Sequence, residues 1–181
     1  MNRPLLSQAS RPLTFDIDAI NELGEVVPTA IAGEHPLTLY VDKREIVTLM
    51  TLGAAPEALT LGYLRNQRLI SSLDEIIAVQ VDWEVNAVVV TTRHGNGIAA
   101  ARTAKRTVTT GCGQGTVFGD LMDEIDDIHL PASATLSETT LYGLLDAVRH
   151  HESIYKQAGA VHGCALAVGP EIPMFVEDVG R

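Results

Sequence analysis

The sequence is short of aromatic residues, of cysteine and of positive charge, and each shortage narrows what the chain can be. Aromatics make up 4% of its 181 residues against 46% hydrophobic residues overall, so a core has to be built from Leu, Val, Ile and Ala. That apolar content supports a folded chain rather than a disordered one, and the length suits one domain or one domain plus an arm. Cys112 and Cys164 are the only cysteines. Two thiols make no disulfide framework, and a reduced, cytosolic compartment is the default expectation. Acidic residues outnumber basic ones 23 to 13, for a formal charge of −10. Non-specific nucleic-acid binding is disfavoured by that balance, while a local positive pocket for an anionic ligand stays open. No apolar run approaches the ~20 residues that a membrane-spanning helix needs. The opening Met1-Asn2-Arg3-Pro4-Leu5-Leu6-Ser7 lacks the long apolar stretch of a signal peptide. Repeats and low-complexity segments are absent as well.

What is present reads as alternating strands and helices. Residues 1–35 mix Pro, Ser, Gly, Asp and Glu with short apolar pieces, an arm with one short strand over Leu13 to Ile17. Residues 36–181 form the main domain. Leu37 to Val41 and Ile46 to Leu52 make a hairpin around Asp42 to Glu45. Pro56 opens a helix that runs to about Asn66, with Leu59, Leu61 and Leu64 at helical spacing. Ser71 to Glu75 carries turn and capping residues, and Ile76 to Val81 and Val85 to Thr92 are two further strands. His94-Gly95-Asn96-Gly97 is a turn signal. Ser137 starts the longest helix, whose Leu141, Leu144, Leu145, Val148 and Ile154 are spaced for a buried face and which closes at Gln157 to Gly159. Val161 to Val168 and Ile172 to Glu177 are the last strands, joined at Gly169-Pro170. The alternation predicts an α/β or mixed α+β fold.

One stretch organises the chemistry: Thr109-Thr110-Gly111-Cys112-Gly113-Gln114-Gly115-Thr116. A β-branched run from Lys105 to Thr110 leads in, and a helical pattern from Val117 to Ile125 leads out. Cys112 is thus expected at a strand-to-helix turn, where unsatisfied N–H groups favour a thiolate and flanking glycines leave the sulfur reachable. The same residues also describe a buried cysteine in a tight turn. Arg102, Lys105 and Arg106 precede it; such a cluster either lowers a thiol pKa, holds an anion, or is a solvated basic face. The spaced glycines lack the Gly-Lys-Ser/Thr ending of a phosphate loop. His162 and Cys164 share one face of a strand at period two. With Cys112 they number three where a structural zinc site wants four ligands, and the His-x-Glu and Pro-Cys-x-x-Cys of a nucleotide deaminase are missing, so no metal is expected. Cys164 reads as a packing residue. Glu177 and Asp178 are adjacent, so they face opposite sides of a strand; one of them either orients His162 or binds a ligand hydroxyl, or the pair is an ordinary strand exit. His150 and His151 read as solvated at a helix end.

Several of these pieces occur together in one family. Ile46 to Thr51, the helix with Leu61-Gly62-Tyr63-Leu64, the cysteine turn Thr109 to Gly113, Gly159 to Leu166, and Glu177-Asp178-Val179-Gly180-Arg181 resemble, in order, the motifs of the formate dehydrogenase accessory sulfurtransferases, the FdhD family. The resemblance covers residues 35 to 181. It implies a cytidine-deaminase-like α/β fold and a homodimer. It implies a cytoplasmic sulfur carrier whose cysteine takes a persulfide sulfur from a cysteine desulfurase. The sulfur then passes to the molybdenum bound by two pterin guanine dinucleotides, on its way into formate dehydrogenase. By position, the persulfide cysteine is Cys112, and Gly111, Gly113, His162, Glu177, Asp178 and Arg181 fall in motifs near the cofactor. Two departures stand out. The family commonly has Cys-x-x-Cys in this turn, where the chain has Gly115 at the second position. It also continues beyond Glu-Asp-Val-Gly-Arg with further α/β chain, so the resemblance implies a sheet incomplete at its C-terminal side. Two rivals stay in view: a thiol-redox protein that never touches molybdenum, and a cofactor-binding chaperone or scaffold without sulfur transfer, which Gly115 would allow.

Overall fold

A computed structural model of the chain describes residues 3–93, 95, 106–108, 116–118 and 128–180. The fold is mixed α+β. The chain divides into two compact units, one holding residues 3–12 and the described residues from 34 to 128, the other holding residues 13–33 and 129–179. The stretch expected as a single arm, 1–35, is therefore shared between them.

The first unit is built on a five-stranded mixed sheet of order β1-β6-β7-β4-β5. Its members are β1 (Leu5–Leu6), β4 (His35–Val41), β5 (Arg44–Thr51), β6 (Ile76–Asp82) and β7 (Ala87–Thr92). Alternation along β4 sends Leu37, Leu39 and Val41 into the core with no exposed surface, which is how a strand with one buried face reads. Ile46, Val47, Ile76, Val79, Val88 and Val90 join them, with Leu64, Leu69 and Ile70 from the helical side. Each such side chain contributes about 1.5–3 kcal/mol by leaving water. The β4–β5 hairpin turns on Asp42 and Lys43 alone, since pairing already begins at Val41↔Arg44. Asp42 adopts φ 54° there, a conformation that Asp tolerates better than most residues. Its carboxylate accepts from the Thr92 N–H and hydroxyl, both at 2.9 Å, and so ties the hairpin to the end of β7.

Helix α1 (Pro56–Asn66) forms as the sequence predicts. Proline opens its first turn, Glu57 stands there, and Arg65 stands in the last turn, the charge order that the helix dipole favours. Glu57, Thr60 and Leu64 form its buried side. Ahead of β6, Ser72 and Glu75 make a capping box. The strand expected from Val85 starts later, at Ala87, because Asn86 takes φ 51° in the turn.

One expectation fails. Thr116–Phe118 is not the start of a helix; it is a strand, β9, antiparallel to β8 (Arg106–Val108), with Val108 opposite Thr116. Thr, Val and Phe are strand formers, and pairing with Arg-Thr-Val outweighs the helical spacing that begins at Val117. Cys112 and residues 119–125 of the expected helix lie outside the described residues. The helix N-terminus invoked for thiol activation is not supplied by residues 116–118.

The second unit contains the hairpin β2 (Thr14–Ile20) and β3 (Val26–Ala32), the hairpin β10 (His162–Val168) and β11 (Glu171–Asp178), and two helices, α2 (Glu138–His150) and α3 (Ile154–Ala158). Ser137 caps α2 through the Thr140 N–H. The single long helix expected through Gln157 is broken: His151 leaves it in an extended conformation and Ser153 caps α3 anew. The apolar side of α2 is not buried either, with Leu141 44%, Leu145 47% and Val148 37% exposed.

Candidate functional site

Three of the residues predicted to work near a ligand, His162, Glu177 and Asp178, stand at the open end of the β10–β11 hairpin. Register decides which of them can act together. His162 stands directly opposite Asp178, Gly163 opposite Glu177, and Cys164 opposite Val176. Facing residues of an antiparallel pair share a side of the sheet, and side chains alternate along each strand. One face therefore carries His162, Cys164 and Asp178, and the other carries Gly163, Phe175 and Glu177. The structure brings His162 and Asp178 together, a histidine beside a carboxylate, and separates Glu177 from both. His162 is exposed and Asp178 half-buried. The Val179 N–H donates to the Asp178 carboxylate at 2.7 Å, which fixes that side chain as the strand ends. Cys164 is exposed rather than packed. Gly111, Cys112, Gly113 and Arg181 lie outside the described residues. Among the described residues no three His, Cys, Asp or Glu side chains are placed to hold a metal ion, and no helix is long and apolar enough to cross a membrane.

The opposite face of the hairpin is its support. Glu177 accepts from the backbone N–H of Ile154 at 2.7 Å and of Tyr155 at 3.1 Å, one on each carboxylate oxygen. The Ser153 hydroxyl accepts from the Lys156 N–H at 3.3 Å. The first N–H groups of α3, which a helix leaves without internal partners, are thereby met. The Phe175 ring lies over Gly163 and against the His151 ring, whose centroid is 4.4 Å away. His151 is thus an aromatic contact and not only a solvated helix end. From the sequence nothing marked this stacking; the signal present was Gly163, a glycine inside a strand, which often marks a close approach.

That approach is testable. A Cβ on Gly163 would come within 2.7 Å of the Phe175 ring, so Gly163→Ala forces the ring or the strand to shift. The expected cost is about 2 kcal/mol, typical of overpacking, read as a lowered urea midpoint. Phe175→Leu in the same chain should recover most of it, and a double mutant no better than Gly163→Ala alone would place the strain elsewhere.

A second carboxylate escaped the sequence reading altogether. Glu57 is 6% exposed and accepts from the Ser7 hydroxyl at 2.6 Å and the Ala9 N–H at 2.8 Å. Burial works against its charge, but the hydrogen bonds from Ser7, Ala9 and neighbouring backbone outweigh it and hold the carboxyl below the usual carboxylate range. Its role is to anchor residues 7–9, and neither periodicity nor spacing could have shown that.

Comparison with known proteins covers the β10–β11 hairpin and Glu57 but, in the family match, not residues 7–9. Residues 32–181 match the model of the FdhD/NarQ family. A protein named sulfur carrier protein FdhD from Listeria monocytogenes serotype 4b (strain F2365) is 25% identical over 157 residues, covering 86% of this chain and 60% of that protein. Its namesake from Geobacillus kaustophilus (strain HTA426) is 26% identical over 151 residues, covering 83% of this chain and 57% of the relative. The chain thus spans about three fifths of the length of these curated relatives. Among solved structures, a formate dehydrogenase accessory protein from Desulfotalea psychrophila superposes with a TM-score of 0.66 at 20% identity, over 94% of this chain and 64% of that one. That likeness is one of fold.

Proposed function

Because the chain belongs to the FdhD/NarQ family, we propose that it is a cytoplasmic sulfur carrier that serves formate dehydrogenase maturation. Its substrate side is a cysteine desulfurase bearing a persulfide. Its delivery side is molybdenum held by two pterin guanine dinucleotides, a cargo rather than a resident cofactor. A homodimer is part of the same reading. The Cys112 thiolate attacks the outer sulfur of the donor persulfide. The donor's S–S bond breaks, a new S–S bond forms on Cys112, and the donor cysteine leaves as a thiolate.

The observation that carries the reading is the pairing of His162 with Asp178. That register sets one residue from each of two sequence motifs, His162 and Asp178, side by side at a strand end. A histidine and a carboxylate on an exposed strand end can donate to and accept from the hydroxyl and amino groups of a nucleotide-bearing cargo. Gly115, which removes the second cysteine of the turn, favours one other reading: a chaperone that binds the molybdenum cofactor without passing sulfur.

Intact mass separates the two. After incubation with an active cysteine desulfurase and cysteine, the carrier should gain one sulfur (~32 Da), and reductant should remove it. A protein that stays at its original mass, beside a positive control for the desulfurase, is the chaperone.

A further inference from the structure

We infer that Glu177 is a positioning residue: its carboxylate clamps the first turn of α3 to the end of β11 and so fixes His162 opposite Asp178. Sequence motif alone groups Glu177 with Asp178 as ligand-binding groups, but their geometry divides them. Glu177 lies on the other face of the hairpin from His162 and Asp178, by the alternation that the register imposes. Both of its oxygens are already committed, to the N–H groups of Ile154 and Tyr155. A carboxylate accepting two N–H groups at a helix start is held by charge-assisted bonds and by the helix dipole.

The clamp matters because α3 leads almost directly into β10. A five-residue helix has too few internal hydrogen bonds to persist without outside support. Only residues 159–161 separate its end from His162. Gly159 has φ 64° and ψ −165°, a region that is essentially glycine's alone, and Ala160 comes next at φ 56°. Val161 is buried. So short and constrained a link carries the position of α3 directly into the first residue of β10. Glu177 also pairs through its backbone with Gly163, the residue after His162. One residue thus holds His162 from both sides, by its side chain through α3 and by its main chain through the ladder.

The functional half of this inference rests on reading the His162–Asp178 edge as the cargo-facing one. The experiment keeps the two apart. Glu177→Ala and Glu177→Gln are compared with the parent chain by NMR, for hydrogen exchange at the Ile154 and Tyr155 amides and for the cross-strand NOE between residues 162 and 178. Binding of guanosine diphosphate, the nucleotide end of the proposed cargo, is measured on the same samples. Glu177→Ala should speed exchange at both amides at least about tenfold, in line with the loss of a charged hydrogen bond at each, weaken the 162–178 NOE, and reduce guanosine diphosphate affinity about tenfold. Glu177→Gln keeps one acceptor oxygen; it should protect one of the two amides and recover most of the affinity. It also carries the test should the alanine variant fail to fold. Unchanged exchange at both amides overturns the clamp. So does lost nucleotide binding with exchange and NOE intact, since Glu177 would then touch the ligand itself. A parent chain that binds no nucleotide overturns the cargo-facing reading instead, and the exchange and NOE arms still decide the clamp.

Discussion

Cys112→Ala is expected to abolish sulfur uptake from a cysteine desulfurase, and Cys164→Ala to leave it intact. The chain has only these two thiols, so the pair of variants exhausts the possibilities. Cys112 is flanked by Gly111 and Gly113 and preceded by Arg102, Lys105 and Arg106. Nearby cations favour the thiolate, and the thiolate is the attacking species. Cys164 is exposed, but exposure alone does not make a nucleophile. Its directly opposed neighbour is Val176, with Leu166 and Met174 on one side along the same face and His162 and Asp178 on the other, and no Lys or Arg is among them. The expected result is a gain of ~32 Da in the parent chain and in Cys164→Ala, and none in Cys112→Ala. A gain that persists without Cys112 assigns the sulfur to Cys164 and removes the turn at 109–116 from the mechanism.

The strand at Thr116–Phe118 sharpens that test. With Thr116–Phe118 in a strand, charge from the basic cluster and access through the glycines are the proposed sources of activation. If so, the rate of alkylation of Cys112 should fall as salt rises, because ionic strength screens an exposed cation's effect within about 10 Å at 0.1 M. A salt-independent rate would argue against the basic cluster.

How far the sequence foretold the fold depends on the range of the interactions involved. The β4–β5 hairpin, α1, the Ser72–Glu75 cap and the strands β6, β7, β10 and β11 were all legible, since each is dictated by contacts a few residues apart or by simple alternation. Strand β3 was missed because Val26–Ala32 carries Pro28 and has no fully buried position; it is a strand through its pairing with β2. The break in the long helix was missed because apolar spacing carries through it from Val148 to Ile154, whereas Ser153 and the Glu177 carboxylate, 23 residues on, decide where α3 begins. The candidate site divides in the same way. That His162 and Asp178 matter was suggested by motif, but that they face each other, with Glu177 behind them, is a matter of register, and one residue of slip would reverse it.

Glu57 is the case where long-range structure decides everything, and its removal should be among the most damaging single changes in the first unit. Residues 3–12 cross that unit as a strap. Leu5 and Leu6 pair in parallel with Ala78 and Val79, and the Ser7 hydroxyl links Glu57 to the Val81 N–H at 3.0 Å. The Trp83 indole donates to the Ala9 carbonyl at 2.6 Å, and the Arg11 guanidinium lies 5.1 Å from the Trp83 ring centroid. Glu57→Ala leaves the Ser7 hydroxyl and the Ala9 N–H without their acceptor in a half-buried setting. At about 1.5–3 kcal/mol for a hydrogen bond to a charged group, and allowing for non-additivity between two bonds to one carboxylate, the loss should be about 3 kcal/mol. Trp83 is the chain's only tryptophan, so its fluorescence reports on the strap itself. In urea the fluorescence transition of Glu57→Ala should move to much lower concentration, and a shift worth less than about 0.5 kcal/mol, the range of an ordinary surface substitution, would mean that Glu57 is not the anchor. Acid should act on the same contacts in two stages. His35, whose Nδ1 lies 3.3 Å from Arg11, is held below its ordinary 6.5 by burial and by that guanidinium. The unfolded chain therefore takes up a proton that the folded chain resists, and this part of the stability is complete above pH 6.5 and is lost as pH falls. Glu57 titrates next, below its ordinary 4.5, its lowered pKa giving the same sign: stability present at neutral pH, lost as the carboxyl protonates. Glu57→Gln should erase the lower stage and leave the upper one, because the amide cannot titrate while His35 and Arg11 are untouched.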